Sequence, residues 1–346
     1  MAFETERTER ILIIRRHNHI GDMLCSLPLY AGLHRRWPEA SKTLLAIPTR
    51  YDIPLAALNP FLDHVVYYRK GSLINIIRQH VVFRRMDFDL TIVPSTVAIS
   101  RTSHITAYLT GAPRRIGIRS LDGKRNRWHV FLNITSDVFW NERRIHQMDR
   151  SREIAALAGC PWPDSTPDSV RLPVSEEATG RAEQLLASVA DGRPLIGVHP
   201  GAGKAENIWP TERFAEVMTE IARDTAAHVV ITSGPLDATE TERLRTLLLS
   251  RGIDALVIVE REVQVLSALF RRFSFYLTND AGIMHIAAFS GCPTVSLFGP
   301  TQSWEWAPRG DSHLSLQAAD GVITSIDIDT VIAACRDVLY RAAQSL

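Results

Sequence analysis

The chain has 346 residues, 45% of them hydrophobic and 22% charged, which is the size and composition of about two ordinary globular domains. Its first ten residues are polar and charged, and no apolar run approaches the roughly 20 residues needed to cross a bilayer, so we expect neither a signal peptide nor a membrane span. The four cysteines are too scattered for a zinc site or a redox pair. We therefore expect a reduced, cytoplasmic protein.

The net charge of +1 conceals a difference between the two halves. Residues 1–170 hold 24 Lys and Arg against 16 Asp and Glu, a balance of +8, whereas residues 171–346 hold 15 against 22, a balance of −7. The basic excess is densest at Arg114, Arg115, Arg119, Lys124, Arg125 and Arg127, which surround one acid, Asp122. Two interpretations stay open: a solvated loop, or a surface for an anionic acceptor or a membrane. Nucleic acid is not expected, because no recognition-helix, zinc or aromatic RNA-binding pattern is present.

In the first half, short apolar runs alternate with helix-like segments. Strands are predicted at 11–14, 43–47, 65–68 and 90–93, and helices at 22–36 and 142–158. The second of these helices ends in Gly-Cys-Pro-Trp-Pro at 159–163, and the chain from there to Pro173 is rich in Pro, Asp and Ser, which indicates a linker.

The same alternation continues in the second half. Strands are predicted at 195–198, 228–232, 255–259 and 275–278, and helices at 211–223, 240–250 and 329–343. The pattern predicts an α/β fold of two doubly wound domains, 1–165 and 166–326, with a ligand cleft between their strand ends. A C-terminal helix within 327–346 completes the chain, and packing of this helix on the N-terminal domain is one arrangement we consider.

The first motif, Arg-Arg-His-Asn-His-Ile-Gly-Asp at 15–22, links the first strand to the first helix. Asp22 stands at the predicted helix start. It is either an N-cap, a position that Asp fills well, or a general base that accepts a proton from an attacking hydroxyl.

The second motif is a glycine-rich loop after a strand, Gly-Val-His-Pro-Gly-Ala-Gly at 197–203, followed by Asn-Ile-Trp-Pro-Thr-Glu-Arg-Phe at 207–214. Gly201 and Gly203 would let backbone amides close around a diphosphate. A turn that needs positive φ is the structural alternative.

The third motif spans Leu277 to Thr301 and carries Asn-Asp-Ala-Gly-Ile-Met-His. A strand ends at Asn279-Asp280, and Ala281 and Gly282 open a helix. The free N–H groups and the dipole of such a helix end favour an anion, typically a phosphate. His285 lies one turn into this helix, where it is either buried or reaches the cleft.

In combination and in this order, the motifs resemble the glycosyltransferase family that contains the ADP-heptose:lipopolysaccharide heptosyltransferases. The matching segments extend over about residues 11–310. They are Ile-Gly-Asp at 20–22, His-Pro-Gly at 199–201, Trp-Pro-x-Glu-Arg-Phe at 209–214, Asn-Asp-x-Gly-x-Met-His-x-Ala-Ala at 279–288 and Leu-Phe-Gly-Pro-Thr at 297–301.

The resemblance implies a GT-B architecture of two Rossmann-like domains facing a central cleft, with acceptor bound by the N-terminal half and nucleotide-sugar by the C-terminal half. It implies that Asp22 is the catalytic base and that Asp280, Gly282 and His285 lie on the diphosphate side. Asp237 falls near the acid that the family places on the donor ribose, although Glu240 fits as well. For the leaving diphosphate we add the segments Gly201-Ala202-Gly203 and Ala281-Gly282, with Lys204 as a candidate cation. The candidate acceptor residues are His17, Asn18, His19, Arg114, Arg115, Arg119, Lys124 and Arg125.

The resemblance thus implies an inverting heptose transfer from ADP-heptose to an anionic lipopolysaccharide inner core, with peripheral contact at the cytoplasmic face of the inner membrane. We expect no cofactor and no metal. The Asp-x-Asp runs at 87–89 and 327–329 are interpreted as a turn and a helix cap.

Three departures from the family pattern keep alternatives open. His17, Asn18 and His19 replace small residues, Asn207 stands where a Lys is common, and Ala281 stands where a Ser or Thr is usual. A member that uses another nucleotide-sugar or another envelope glycan is one alternative, and a non-catalytic nucleotide-binding relative is the other. A dinucleotide-dependent dehydrogenase is not expected, because no Gly-x-Gly-x-x-Gly follows the first strand.

Overall fold

A computed structural model of the chain describes residues 8–15, 19–47, 54–68, 80–160, 170–234 and 236–344. The chain divides into two compact units between Val170 and Arg171. Each unit is built on a sheet of mainly parallel strands, with helices in the connections between them. The predicted α/β class is confirmed.

The first unit contains a seven-stranded sheet in the order β3-β2-β1-β4-β5-β6, with β7 also paired to β5. Its strands are β1 (Arg10–Ile14), β2 (Ser41–Ala46), β3 (His64–Tyr67), β4 (Leu90–Ile92), β5 (Arg114–Leu121), β6 (Lys124–Arg125) and β7 (Ile134–Val138). All pairings are parallel except the β5–β6 hairpin. The α-helices whose two ends both lie among the described residues are α1 (Ile20–Leu24), α2 (Leu27–Arg36), α3 (Arg101–Leu109) and α4 (Gln147–Leu157).

Two helix predictions in this unit were wrong in detail. The predicted helix 22–36 is two helices, α1 and α2, because Pro28 has no N–H to donate to the carbonyl of Leu24. The predicted helix 142–158 begins only at Gln147, where the Nδ1 of His146 accepts a hydrogen bond from the Met148 amide and caps it.

The loop interpretation of the basic segment was also wrong, because Arg114–Leu121 is the strand β5. Ile116 and Ile118 are buried in the sheet, and β5 pairs with β4 on one side and β7 on the other. The strand was not predicted because its apolar stretch is short and arginines lie on both sides of it.

The second unit is a six-stranded sheet, parallel throughout, in the order β10-β9-β8-β11-β12-β13. Its strands are β8 (Leu195–His199), β9 (His228–Ser233), β10 (Leu256–Val259), β11 (Phe275–Asn279), β12 (Thr294–Phe298) and β13 (His313–Gln317). Its helices are α5 (Glu176–Leu186), α6 (Thr211–Thr225), α7 (Ala238–Ser250), α8 (Val263–Phe270), α9 (Gly282–Ser290), α10 (Ser303–Trp306) and α11 (Ile328–Gln344). The strand order reverses between β8 and β11, which is where doubly wound sheets bind their ligands.

The C-terminal helix α11 lies within the second unit. It packs on α6 and on strands β11 to β13, and it buries Val331, Cys335 and Val338 in the same apolar core as Trp209. Packing of α11 on the N-terminal domain stays a prediction.

Candidate functional site

Asn279, at the end of β11, holds the second and third sequence motifs together. Its fully buried Nδ2 donates to the carbonyl of Pro200 at 2.8 Å and to that of Gly201 at 3.2 Å. Its Oδ1 accepts a hydrogen bond from the backbone N of Trp209 at 3.1 Å. The side chain therefore fixes both ends of the loop 200–209 against the strand. Asn279 has no role among the sequence-based predictions, although its position directly after a buried strand indicates that its amide group is close to the neighbouring loops.

Asp280 follows Asn279 and lies close to the segment that departs from the family pattern. Its Oδ2 accepts a hydrogen bond from Nδ2 of Asn207 at 3.0 Å, and the same nitrogen lies 3.4 Å from Oγ1 of Thr301. Burial raises the pKa of Asp280, while hydrogen bonding to Thr301 and the charge of Lys204 oppose this rise. Asn207 thus supplies a neutral donor to the carboxylate, and the ammonium of the exposed Lys204 acts on it through space.

Position 201 has room only for glycine, because the side chain of Asp237 lies directly against it. A Cβ at position 201 would fall on the Asp237 carboxylate and lie only 2.7 Å from the Asp237 Cβ. At Gly203 an added Cβ would meet nothing within 4 Å. Of the two glycines, only Gly201 is sterically constrained by its surroundings.

The Asp237 carboxylate has partners inside the unit. Its Oδ2 accepts a hydrogen bond from the Gly234 amide at 3.1 Å and lies 3.4 Å from Nε2 of His199. The other ring nitrogen of His199 is 2.9 Å from the carbonyl of Thr232, to which Nδ1–H donates. Burial lowers the pKa of His199, and the charge of Asp237 opposes that shift. Asp237 therefore has a structural role, in which it holds Gly234 and His199, in addition to its predicted contact with the donor ribose.

The N-terminus of α9 lies at the carboxyl end of β11. Ala281 is the N-cap and has no side-chain hydrogen bond to the helix, and Gly282 is the first helical residue. Both are partly exposed, so the first amides of the helix, which lack intrahelical partners, can meet a ligand.

His285 is buried, with 3% of its surface exposed, and its ring lies edge-on to Trp306 at 6.5 Å between centroids. Burial lowers its pKa to about 4, so the imidazole is neutral at neutral pH. Of the two interpretations left open by the sequence, the structure shows the buried histidine.

In the first unit, Asp22 is the third residue of α1 and not its N-cap, a position held by His19. The N-cap interpretation of Asp22 was therefore wrong. Asp22 is 4% exposed, and its Oδ1 lies 3.5 Å from Nη2 of Arg15. Within the described part of the chain, neither this Oδ1 nor Nε of Arg15 has a hydrogen-bond partner.

Arg15 and Ile14 also line a small pocket of about 20 Å³ where the order of the first sheet reverses, between β1 and β4. The remaining wall is the segment that follows β4, which includes Ser95 and Thr96, together with Ser100 and Ser103. The hydroxyls of Ser95 and Thr96 are buried and have no hydrogen-bond partner among the residues the structure describes. The carbonyl of Thr96 accepts a hydrogen bond from Nη1 of Arg150 at 3.0 Å, which fixes this segment to α4. This pocket was not predicted from the sequence, although Pro94-Ser95-Thr96 follows a buried strand.

Several of the predicted acceptor residues bond within the first unit. Arg114 is buried and donates to Oγ1 of Thr8 at 2.7 Å. Arg115 donates to the carbonyls of Phe131 and Ala112, and Arg119 pairs with Asp137. His19, Lys124 and Arg125 are exposed, whereas His17 and Asn18 lie outside the described residues.

The two Asp-x-Asp runs have structural roles. Oδ2 of Asp89 accepts hydrogen bonds from the amides of Glu9 and Arg10, and Oδ2 of Asp327 accepts one from the Thr330 amide at the start of α11. Over the described ranges, no group of three His, Cys, Asp or Glu side chains is arranged to hold a metal ion. None of the helices described is long and apolar enough to span a membrane.

Comparison with known proteins places these motifs in one family. The family model for glycosyltransferase family 9 (heptosyltransferase) matches residues 83–322. Lipopolysaccharide heptosyltransferase 2 of Salmonella typhimurium is 31% identical over 302 residues, which are 82% of this chain and 80% of that protein.

Two solved structures resemble the whole chain. The glycosyl transferase family 9 protein from Veillonella parvula has a TM-score of 0.77 at 22% identity, over 96% of this chain and 97% of that chain. The E. coli ADP-heptose lps heptosyltransferase II has a TM-score of 0.75 at 22% identity, over 96% and 99%. These likenesses show the GT-B fold, as the sequence motifs predicted. The chain belongs to glycosyltransferase family 9, the heptosyltransferase family, and is a glycosyltransferase.

Proposed function

We propose that this protein is an inverting, metal-independent glycosyltransferase that moves a heptose from ADP-heptose to an anionic lipopolysaccharide inner-core acceptor. One observation carries the donor half of the proposal: Asn279 joins the glycine-rich loop to Asp280 and to the start of α9 where the strand order of the second sheet reverses. Two sets of backbone amides that suit phosphate oxygens are thereby brought to one edge of one sheet.

On the donor, the amides of Gly201–Gly203 and of Ala281–Gly282 would bind the diphosphate and stabilise the charge that develops on it as it leaves. Lys204 would supply the cation that the family pattern places at position 207. The exposure of Lys204 and its electrostatic effect on Asp280 support this assignment. The ribose contact of Asp237 or Glu240 belongs to the same proposal.

On the acceptor, Asp22 would accept the proton of the attacking hydroxyl while the acceptor oxygen bonds to the anomeric carbon. The bond from that carbon to the phosphate oxygen breaks on the opposite face, so the configuration inverts and ADP leaves. The burial of Asp22 supports this role, as does its Oδ1 oxygen, which has no hydrogen-bond partner among the residues the structure describes. We also propose that the reaction takes place in the cytoplasm, with peripheral contact to the inner membrane.

The role of Asp22 is tested by comparing Asp22→Asn with Arg15→Gln. Both changes disturb the same buried ion pair, but only the first removes the base. We expect Asp22→Asn to lower turnover by about 100-fold to 10,000-fold, and Arg15→Gln to retain most of it. Because breaking a buried pair also costs stability, folding of both variants is checked by thermal unfolding. Equal losses in the two variants would show that Asp22 acts only as the partner of Arg15.

The donor is tested by calorimetric titration of ADP, UDP, GDP and CMP against wild type and Lys204→Ala. Selective ADP binding that weakens in Lys204→Ala supports an ADP-sugar donor held by this lysine. Preference for another nucleotide would assign a different donor, in line with the departures at Asn207 and Ala281. The absence of any nucleotide binding would indicate a non-catalytic relative.

The absence of a metal requirement is tested by measuring turnover with a chelator. We expect unchanged turnover, and a loss that added magnesium restores would contradict the proposal.

A further inference from the structure

A partly exposed cluster of aromatic and basic side chains lies on the first unit, on α3 and the 3₁₀ turn Arg127–Phe131, which pack together. The rings of Tyr108 and Phe131 are 5.5 Å apart between centroids, and those of Trp128 and Phe131 are stacked at 6.5 Å. Tyr108 is 52% exposed and Val130, beside Phe131 in sequence, is 64% exposed. Large apolar side chains that remain together at a surface usually mark a contact with a partner.

Two guanidinium groups lie over rings of this cluster. Arg101 lies over the ring of Trp128 at 5.6 Å, and Arg115 lies over that of Tyr108 at the same distance. The exposed Lys124 and Arg125 of β6 and the exposed Arg127 adjoin the turn in sequence. From 100 to 136 the sequence holds one acid, Asp122, so this part of the unit carries a strong positive excess. We call Arg101, Tyr108, Arg115, Arg127, Trp128, Val130 and Phe131 the aromatic-basic surface.

We propose that the aromatic-basic surface docks on a bilayer that contains anionic phospholipids. Trp and Tyr have an apolar body and a polar edge, which suits the level of the lipid headgroups. Basic residues near such a surface are attracted by its negative potential, and this attraction falls within a Debye length. The combination of exposed Val130 with cationic neighbours fits a bilayer, which offers apolar and anionic groups together. The inference locates the membrane contact of the proposed function but does not depend on the proposed chemistry.

The test measures co-sedimentation of the full chain with vesicles of phosphatidylcholine alone and of phosphatidylcholine mixed equally with phosphatidylglycerol. The vesicles contain no acceptor, so binding is measured independently of transfer. We expect binding to the anionic vesicles that weakens as salt is raised. Arg101→Glu/Arg127→Glu should lower the partition coefficient by about 30-fold or more. As the control, Arg261→Glu/Arg272→Glu makes the same charge change at exposed residues of the second unit and should bind as wild type does.

A second pair of variants tests the apolar part. Val130→Asp should weaken binding about tenfold, whereas Val259→Asp changes a valine of nearly equal exposure, 65%, in the second unit and should have little effect. Failure of the wild type to bind anionic vesicles at low salt would overturn the proposal, as would equal losses in the two valine variants. Stronger binding to single-stranded RNA than to the vesicles would also overturn it. Turnover is measured in a separate assay with donor and acceptor, so failure of docking and failure of the proposed function are distinguishable.

Discussion

Asn207 donates a hydrogen bond from Nδ2 to Oδ2 of Asp280 at 3.0 Å, although 73 positions separate the two residues. The family pattern commonly has a lysine at position 207, so a neutral amide here replaces an ammonium beside a buried carboxylate. The contact shows that the departure from the pattern does not leave Asp280 without a partner. Lys204 is therefore the candidate for the cation that binds the phosphate groups.

Asn207→Ala should lower the free energy of unfolding by about 1.5–3 kcal/mol at neutral pH, because the buried carboxylate loses a donor. The loss should be smaller near pH 4, where Asp280, whose pKa burial raises above its usual value, is more often protonated. Urea unfolding at the two pH values measures this difference. Glu206→Ala changes the exposed preceding side chain and serves as the control, with an expected change within about 0.5 kcal/mol. Equal losses at both pH values would contradict a charge-assisted bond.

Gly201→Ala and Gly203→Ala form a matched pair within one loop. The first adds a methyl group where the Asp237 carboxylate lies, and the second adds it to open space. We expect Gly201→Ala to cost about 1–3 kcal/mol of stability and to weaken nucleotide binding, while Gly203→Ala stays close to wild type. Thermal unfolding and calorimetry with ADP measure both effects. Unchanged stability and unchanged ADP binding in Gly201→Ala would show that the loop moves freely away from Asp237.

Asp237→Asn and Glu240→Gln separate the two candidate ribose contacts from the structural role of Asp237. Removing the Asp237 charge should lower the pKa of His199 further, because that charge opposes the effect of burial. It should also destabilise the second unit, since Asp237 bonds to the Gly234 amide and faces His199. Proton NMR titration of His199 and urea unfolding give the two readouts. Loss of ADP affinity with unchanged stability would make Asp237 a ligand contact alone, and loss of affinity only in Glu240→Gln would assign the ribose to Glu240.

Stability should fall as the pH drops from about 7 toward 4, in part because of His285. Its pKa is about 4 in the folded protein, against about 6.5 for an unperturbed histidine. The unfolded chain therefore binds a proton first, and the stabilisation present above pH 6.5 is lost progressively down to about pH 4. His285→Gln should flatten this dependence in urea unfolding at pH 7.5 and pH 5. His64→Gln, which changes an exposed side chain of the first unit, is the control, and the same slope in His285→Gln and wild type would contradict the assignment.

Local patterns in the sequence were sufficient to predict many of the strands and helices. Runs such as 11–14 and 275–278 were identified as strands because both faces of a parallel sheet are buried and its strands are continuously apolar. The helix that opens at Gly282 and the glycine-rich loop after β8 were identified for similar local reasons. The strand at 114–121 was missed because arginines interrupt its apolar stretch, and the break before α2 was missed although Pro28 signals it.

The contacts that define the candidate site were decided only by tertiary structure. Asn279 reaches Pro200 and Gly201, Asn207 reaches Asp280, and Asp237 lies against Gly201, and each of these pairs is separated by more than 30 positions. Such pairs depend on which strands become neighbours and at what register. Burial of the apolar faces over the whole sheet determines both, and no short stretch of sequence contains that information. The sequence by itself therefore determined which segments carry the chemistry, and the fold decided which of their side chains meet.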